Sequence, residues 1–209
     1  MIKSVSKPIV VGVAGGTGAG KSTIVKEILK NLGAEKVSVI QYDSYYKNRP
    51  ELPFEERSKI NFDHPDSLDT NLMVEHLKLL ISGKNVEIPV FHHFTKYLRD
   101  SNTKKIESRP IIIVEGILVL NDKKLRELMN LKVFIDSPPD LRFIRRLKRD
   151  LFENGRSVES VTKQYLATIR PMHEEYVEPS KIHADLNVPE GWSIRQAVDL
   201  LISHLQAHQ

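Results

Sequence analysis

The chain has 209 residues, 40% of them hydrophobic and 28% charged, with a formal net charge of +4 and no cysteine. That length and composition suit one α/β domain, residues 1–209, with a full core. The lack of cysteine excludes a disulfide framework and thiol chemistry, and a modest charge without a basic tail does not demand a nucleic-acid partner. No apolar run reaches membrane-spanning length, and Met1 to Pro8 lack a signal-peptide core, so a cytoplasmic chain with no membrane partner is expected.

Strand-like and helix-like segments alternate, the pattern of a parallel sheet covered by helices. A β-branched run over 8–14 is followed by Gly15-Gly16-Thr17-Gly18-Ala19-Gly20-Lys21-Ser22-Thr23 and a helix over 21–32 that Gly33 ends. The segment is G-x-x-x-x-G-K-[ST] between a strand and a helix, the context of a phosphate-binding P-loop. Gly15, Gly16, Gly18 and Gly20 are expected to adopt left-handed backbone. The freed amides and the positive helix end then face an anion. Lys21 supplies a point charge near the β- and γ-phosphates, and the Ser22 hydroxyl is a ligand for Mg²⁺. The dinucleotide fingerprint G-x-G-x-x-G fails, because Lys21 stands where its last glycine would fall.

A second strand over 37–40 leads into a long polar stretch, 42–66. A helix over 68–81 closing at Gly83 follows, then a small antiparallel ribbon within 84–108 that pairs 86–91 with a partner near 103–107. Apolar strands are expected over 111–114 and 131–135. Ser137-Pro138-Pro139-Asp140 starts a helix with Ser137 as its cap, running to about 152. Asn154-Gly155 breaks it, a second helix spans 158–175, and a short strand over 184–188 precedes a final helix with a Ser193/Gln196 capping box.

Three constellations carry chemistry. Asp43 lies at the carboxyl end of the second strand, where open α/β sheets place their sites. It either serves phosphoryl transfer, as a metal ligand or proton acceptor, or caps its own loop. Glu115 closes the 111–114 strand in the position of a Walker-B-type acid and is a candidate Mg²⁺ ligand with Ser22. The run Arg145-Arg146-Leu147-Lys148-Arg149-Asp150, with Arg156 beyond Gly155, suits a helical lid over about 145–160 whose arginines clamp phosphates. On its helix, residues 142, 145, 146 and 149 share one side. His64, His92, His93 and His173 lack metal-ligand spacing. Tyr45, Tyr46 and Trp192 could stack a base, but isolated aromatics are more often core.

Taken with Gln41-Tyr42-Asp43-Ser44-Tyr45-Tyr46, Asn61-Phe62-Asp63-His64-Pro65-Asp66, Glu115-Gly116-Ile117-Leu118, Pro179-Ser180-Lys181 and Ala184-Asp185, these motifs resemble the uridine (uridine–cytidine) kinase family over nearly the whole chain. The resemblance implies a P-loop NTPase-type parallel sheet flanked by helices, with a helical lid and a small β-ribbon. It implies transfer of the γ-phosphoryl group of ATP or GTP to a pyrimidine nucleoside 5′-hydroxyl, with Mg²⁺, in pyrimidine salvage, by a homo-oligomer, tetramer or dimer. Carried over by position, Asp43 resembles the catalytic base, acting with Lys21 and Arg149. Asp63 resembles the carboxylate that grips the ribose, Arg146 and Arg156 site arginines, Gln164 a nucleoside contact and Glu115 the acid near Mg²⁺.

The chain departs from the family in Phe91-His92-His93-Phe94-Thr95-Lys96-Tyr97-Leu98-Arg99. The family's base-reading Tyr, its Asp and its His fall at Phe91, His92 and Lys96. Phe91 donates no hydroxyl hydrogen bond and Lys96 accepts none. One extra residue before Arg99 leaves His93 or Tyr97 as substitutes. Phe91, His93 and Lys96 therefore join the expected substrate contacts, and base discrimination is expected to be poor. Rival readings are a kinase of another hydroxylated metabolite, as in phosphoribulokinase or pantothenate kinase, and an ATP-binding regulator without turnover. A GTPase switch is disfavoured because D-x-x-G and N-K-x-D are missing.

Overall fold

The computed structural model describes residues 7–93, 95–191 and 194–207. In chain order the elements are β1 (Ile9–Ala14), α1 (Lys21–Leu32), β2 (Val37–Gln41), α2 (Phe54–Arg57), α3 (Thr70–Ile81), β3 (Val86–His92), β4 (Leu98–Ile106) and β5 (Ile111–Glu115). They continue with α4 (Lys123–Arg126), β6 (Leu131–Asp136), α5 (Pro139–Phe152), α6 (Val158–Gln164), α7 (Arg170–Met172), β7 (Leu186–Pro189) and α8 (Ile194–Ala207). Short 3₁₀ turns at Tyr42–Tyr45 and Pro65–Ser67 punctuate the loop between β2 and α3.

The main sheet has the order β2-β5-β1-β6-β7, and every pair is parallel. Its strands are apolar on both faces because helices cover both. Val10, Ala14, Ile112, Val114 and Phe134 face Met73, Leu77 and Leu80 of α3. Val11, Val13, Ile111, Ile113 and Val133 face Ile24, Val25 and Ile28 of α1 and Val198 and Leu201 of α8. The chain leaves β1 toward β2 on one side and later builds β6 on the other. A crevice thus opens at the carboxyl end of β1, where the P-loop stands.

The ribbon pairs β3 with β4, Val86 opposite Ile106 and His92 opposite Leu98, with an irregularity between Pro89 and Phe91. Its return strand runs over Leu98–Ile106, beginning earlier than the partner expected near 103–107. The strand's exposed, polar pattern hides its pairing from a reading of hydrophobic alternation.

Two expectations about helices are corrected. Ser137 does not cap α5; the helix starts after Pro138, and the Ser137 hydroxyl instead donates to Glu190 at 2.6 Å. A carboxylate is the stronger acceptor, and prolines at the start supply no amide for a cap to meet. The 158–175 helix is also not one regular α-helix. Wide π-type turns at Tyr165–Ile169 and His173–Val177 flank α7. Pro171 offers no amide and crowds the carbonyl four residues back, so its neighbours take longer hydrogen bonds. The Ser193/Gln196 capping box and Trp192 fall on or depend on residues outside those described.

Candidate active site

Gly15, Gly18 and Gly20 take positive φ of 136°, 76° and 100°. Gly16 does not. It is glycine for a different reason: a Cβ there would sit 2.5 Å from Nη1 of buried Arg142, and one on Gly18 would meet the Arg142 backbone. Arg142 thus forms the floor of the loop, fixed by donating from Nε to Ser137 O at 2.9 Å. Its Nη2 also donates to His173 Nε2 at 3.0 Å. Lys21 curls back over the loop, donating to Gly15 O at 2.9 Å and Gly16 O at 3.1 Å. Burial lowers the Lys21 ammonium to about 8, against the opposing pull of Glu115 and Asp43.

The Ser22 hydroxyl donates to Glu115 Oε2 at 3.0 Å, and Gln41 Nε2 donates to Glu115 Oε1 at 3.2 Å. Parallel register sets this geometry, pairing Gln41 on β2 with Glu115 on β5. A hydroxyl and a carboxylate held together beside a phosphate loop are a fitting hard-oxygen donor pair for Mg²⁺. Beside Ala19, Gly20 and Thr23 lies a cavity of about 230 Å³, closed by Pro189 and by the Arg145–Glu190 ion pair at 2.8 Å. A larger cavity of about 780 Å³ lies on the flank of α5, by Phe143, Tyr165 and His173. None of the P-loop residues lines it.

The acceptor side is built on the β2–α3 loop. Asp43 stands in the 3₁₀ turn that follows β2. Arg99 of β4 pins that turn, donating to Tyr46 O at 2.9 Å and pairing with Asp69 at 3.3 Å. Half-exposed, the Asp43 carboxylate lies 3.9 Å from His93 Nε2. Asp63 is the second acid. Burial raises its pKa, while the charges of Arg146 and Lys21 pull it back. Its block is rigid: Asn61 Oδ1 accepts from the Asp63 amide, His64 Nδ1 caps the Asp66 amide, and His64 Nε2 meets the Tyr176 hydroxyl at 3.0 Å.

Phe91 is buried in an aromatic cluster, its ring centroid 5.2 Å from Tyr46, 5.6 Å from Phe62 and 5.0 Å from His93. Tyr97 stacks on Phe62 with ring planes 12° apart. Burial depresses the pKa of His93, with Asp43 acting in the other direction. His92 turns to Asp100 at 2.5 Å. Lys96 is exposed at the hairpin turn, and its carbonyl accepts from Arg57 Nε at 3.1 Å. The fold therefore gathers Phe91 and His93 beside Asp43 and leaves Lys96 outside. Tyr45 and Tyr46 are core.

The arginines that share a helical side in sequence separate in space. Arg142 and Arg146 are buried, Arg145 turns to Glu190, and Arg149 is half-exposed. Arg146 Nη1 donates to Thr17 Oγ1 at 3.0 Å, tying α5 to the P-loop. Gln164 Oε1 accepts from Arg156 at 2.6 Å and from Arg146 at 3.2 Å. Sequence reasoning quoted Gln41 and Asp150 within motifs and placed 142 on the arginine side of its helix but gave none of them a role, and it missed the Arg145–Glu190 pair. Asp150, four residues after Arg146, and Arg142, on the same helical side as Arg145 and Arg146, left local signals; Gln41 and Glu190 did not.

A P-loop at a parallel-sheet switch point, two carboxylates across the crevice and an arginine-rich helix over it define a P-loop phosphotransferase. The sequence profile described as "Phosphoribulokinase / Uridine kinase family" matches residues 10–195, and the chain belongs to that family. It is 50% identical over 200 residues to a protein named uridine kinase from Chloroflexus aurantiacus, covering 96% of this chain and 95% of that one. It is 46% identical over 201 residues to a uridine kinase from Streptococcus gordonii, with coverage of 96% and 95%. Among solved structures, phosphoribulokinase from Rhodobacter spheroides superposes with a TM-score of 0.65 at 15% identity, covering 88% of this chain and 70% of that one. D-glycerate 3-kinase from Cryptococcus neoformans gives 0.58 at 16% identity, with coverage of 80% and 78%. At those identities the structural matches establish the fold.

Proposed function

We propose that the chain is a uridine kinase, transferring the γ-phosphoryl group of ATP to the 5′-hydroxyl of uridine or cytidine. One observation carries the reading. Ser22 of the P-loop bonds Glu115 at 3.0 Å, Glu115 pairs in register with Gln41, and Asp43 stands two residues beyond Gln41, so acceptor and donor groups meet at one end of the sheet. Kinship supports the acceptor: the relatives named uridine kinase match along 96% of the chain.

In this reading the P-loop amides and Lys21 hold the donor phosphates, and Asp63 holds the ribose hydroxyls through charge-assisted hydrogen bonds. Asp43 orients the 5′-hydroxyl. Its oxygen attacks the γ-phosphorus as the bond to the β,γ-bridging oxygen breaks. The hydroxyl proton passes to Asp43, and ADP departs. Arg146, Arg149 and Arg156 stabilise charge on the transferring group, and Gln164 holds two of them in place. Ser22 and Glu115 would hold Mg²⁺, which when bound neutralises phosphate charge. The 230 Å³ cavity beside Gly20 is the space for the donor's base, ATP or GTP.

The test is ADP release with uridine, cytidine, a purine nucleoside, ribulose phosphate and pantothenate as acceptors. Pyrimidine nucleosides are expected to give the highest kcat/KM. Higher turnover of a non-nucleoside would replace this reading with kinase activity on another metabolite. That second reading draws on the ribbon, where Phe91 brings no hydroxyl and Lys96 stays outside.

No helix among the described residues is long and apolar enough to cross a membrane. We read the enzyme as a cytoplasmic member of pyrimidine salvage that works as a homo-oligomer, dimer or tetramer. Exposed Ile144, Phe152, Val158 and Leu166 on the α5–α6 flank support association. Light scattering on the purified protein decides the oligomeric state.

A further inference from the structure

We propose that Asp150 is the positioning residue that assembles the arginine side of the site. Its side chain is fully buried at the end of α5. Oδ1 accepts from Arg149 Nε at 3.2 Å, Arg149 Nη2 at 3.1 Å and Asn154 Nδ2 at 3.2 Å. Oδ2 stands 3.4 Å from Arg146 Nε and accepts from Arg156 Nη1 at 3.4 Å. The backbone amide of Arg156 donates to the Asp150 carbonyl at 3.1 Å, closing the turn through Gly155. One carboxylate thus collects three guanidinium groups from both sides of the break between α5 and α6.

Three cations converging in a partly buried space repel one another strongly unless an anion stands among them. Asp150 is that anion when no nucleotide is bound, and it keeps the arginines gathered where phosphate oxygens arrive. Its hold is incomplete in a useful way. Arg146 Nε is buried beside Oδ2 but misaligned, without a hydrogen-bond partner. The Arg149 side chain keeps 44% of its surface exposed. Arg149 therefore has donors left for a second anion, while Arg146, buried behind it, reaches Thr17 of the P-loop through Nη1. Asp150 touches no reacting atom in this arrangement; it acts through the arginines.

The inference rests on the proposed role of those arginines toward nucleotide phosphates, so the experiment separates the two. Asp150→Asn keeps size and removes charge. It is expected to lower kcat at least about thirtyfold and to raise the Kd of a non-hydrolysable ATP analogue about tenfold, with the Kd of uridine unchanged within about threefold. Asp150→Glu restores the charge one methylene away and is expected to fall between the two. A lower Tm with kcat and analogue Kd within twofold of wild type would make Asp150 a structural acid only and overturn the proposal. Should Asp150→Asn not fold, Asp150→Glu and Asn154→Ala carry the test, and wild-type kcat in both overturns it. A wild-type protein that phosphorylates no nucleoside defeats the functional reading instead, and the analogue Kd still decides the role of Asp150.

Discussion

The P-loop and the ribbon beside Asp43 are built on opposite principles. The loop is made of backbone. Positive φ at Gly15, Gly18 and Gly20 and the close approach of Arg142 under Gly16 leave it little room to vary. The ribbon is made of side chains packed on side chains, with Phe91 and His93 in edge-on contact with Tyr46, and Phe91 with Phe62. Phosphate is common to every donor and can be held by amides. A base edge must be read by particular groups, so the ribbon is where related enzymes can diverge. Phe91 shows the cost of divergence, being unable to donate to a base. His93 lies 3.9 Å from Asp43, burial lowers its pKa, and in its neutral form an imidazole can both donate and accept, so it is the ribbon's candidate for that task.

The largest effect should come where the two regions meet the reacting atoms. Asp43→Asn is expected to lose about 10²–10⁴ in kcat while uridine still binds by calorimetry. Loss of affinity with kcat intact would move Asp43 to the binding side. On the loop, Lys21→Ala should cost about a hundredfold or more in kcat. Near-normal turnover in a folded variant would break the P-loop assignment. Asp63→Asn should act mainly on KM for the nucleoside, raising it about ten- to a hundredfold, because buried charge-assisted hydrogen bonds to the ribose are lost.

Two smaller effects sharpen the comparison within the ribbon and within the loop. His93→Ala is expected to raise KM for uridine about tenfold, whereas Lys96→Ala stays within about twofold; steady-state kinetics on both variants measure it. The reverse ranking would mean that the hairpin turn closes over the base. Finally, Lys21 titrates at about 8 in the free protein, lowered by burial. Raising the pH through that value removes the positive charge, so kcat/KM for ATP should be level near pH 7 and fall above 8. A plateau extending to pH 10 would mean that the ammonium is less desolvated than its position indicates.

Much of the site was legible because its signals are local. The P-loop spans nine consecutive residues, Glu115 closes one apolar strand, Asp43 follows another by two residues, and the arginines lie within one helix and its turn. The strands themselves read as uninterrupted β-branched runs because both faces of the sheet are covered. The polar β4 was shortened because it pairs on the outside of the fold, where alternation carries no hydrophobic mark. The local pattern around Ser137 fits a helix cap, but Glu190, distant in sequence, draws its hydroxyl away.

By itself, then, the sequence determined the order of elements, the phosphate-binding loop and the types of charged residue around it. Those depend on backbone preferences and periodicities set within a few neighbours. Only the tertiary structure decided that Gln41 stands beside Glu115, that Arg142 underlies Gly16, that His93 rather than Lys96 faces Asp43, and that Asp150 holds Arg156 across the turn between α5 and α6. Each of those contacts depends on strand register, hairpin geometry or helix packing, which arise from burying the whole apolar set at once and have no short-range code.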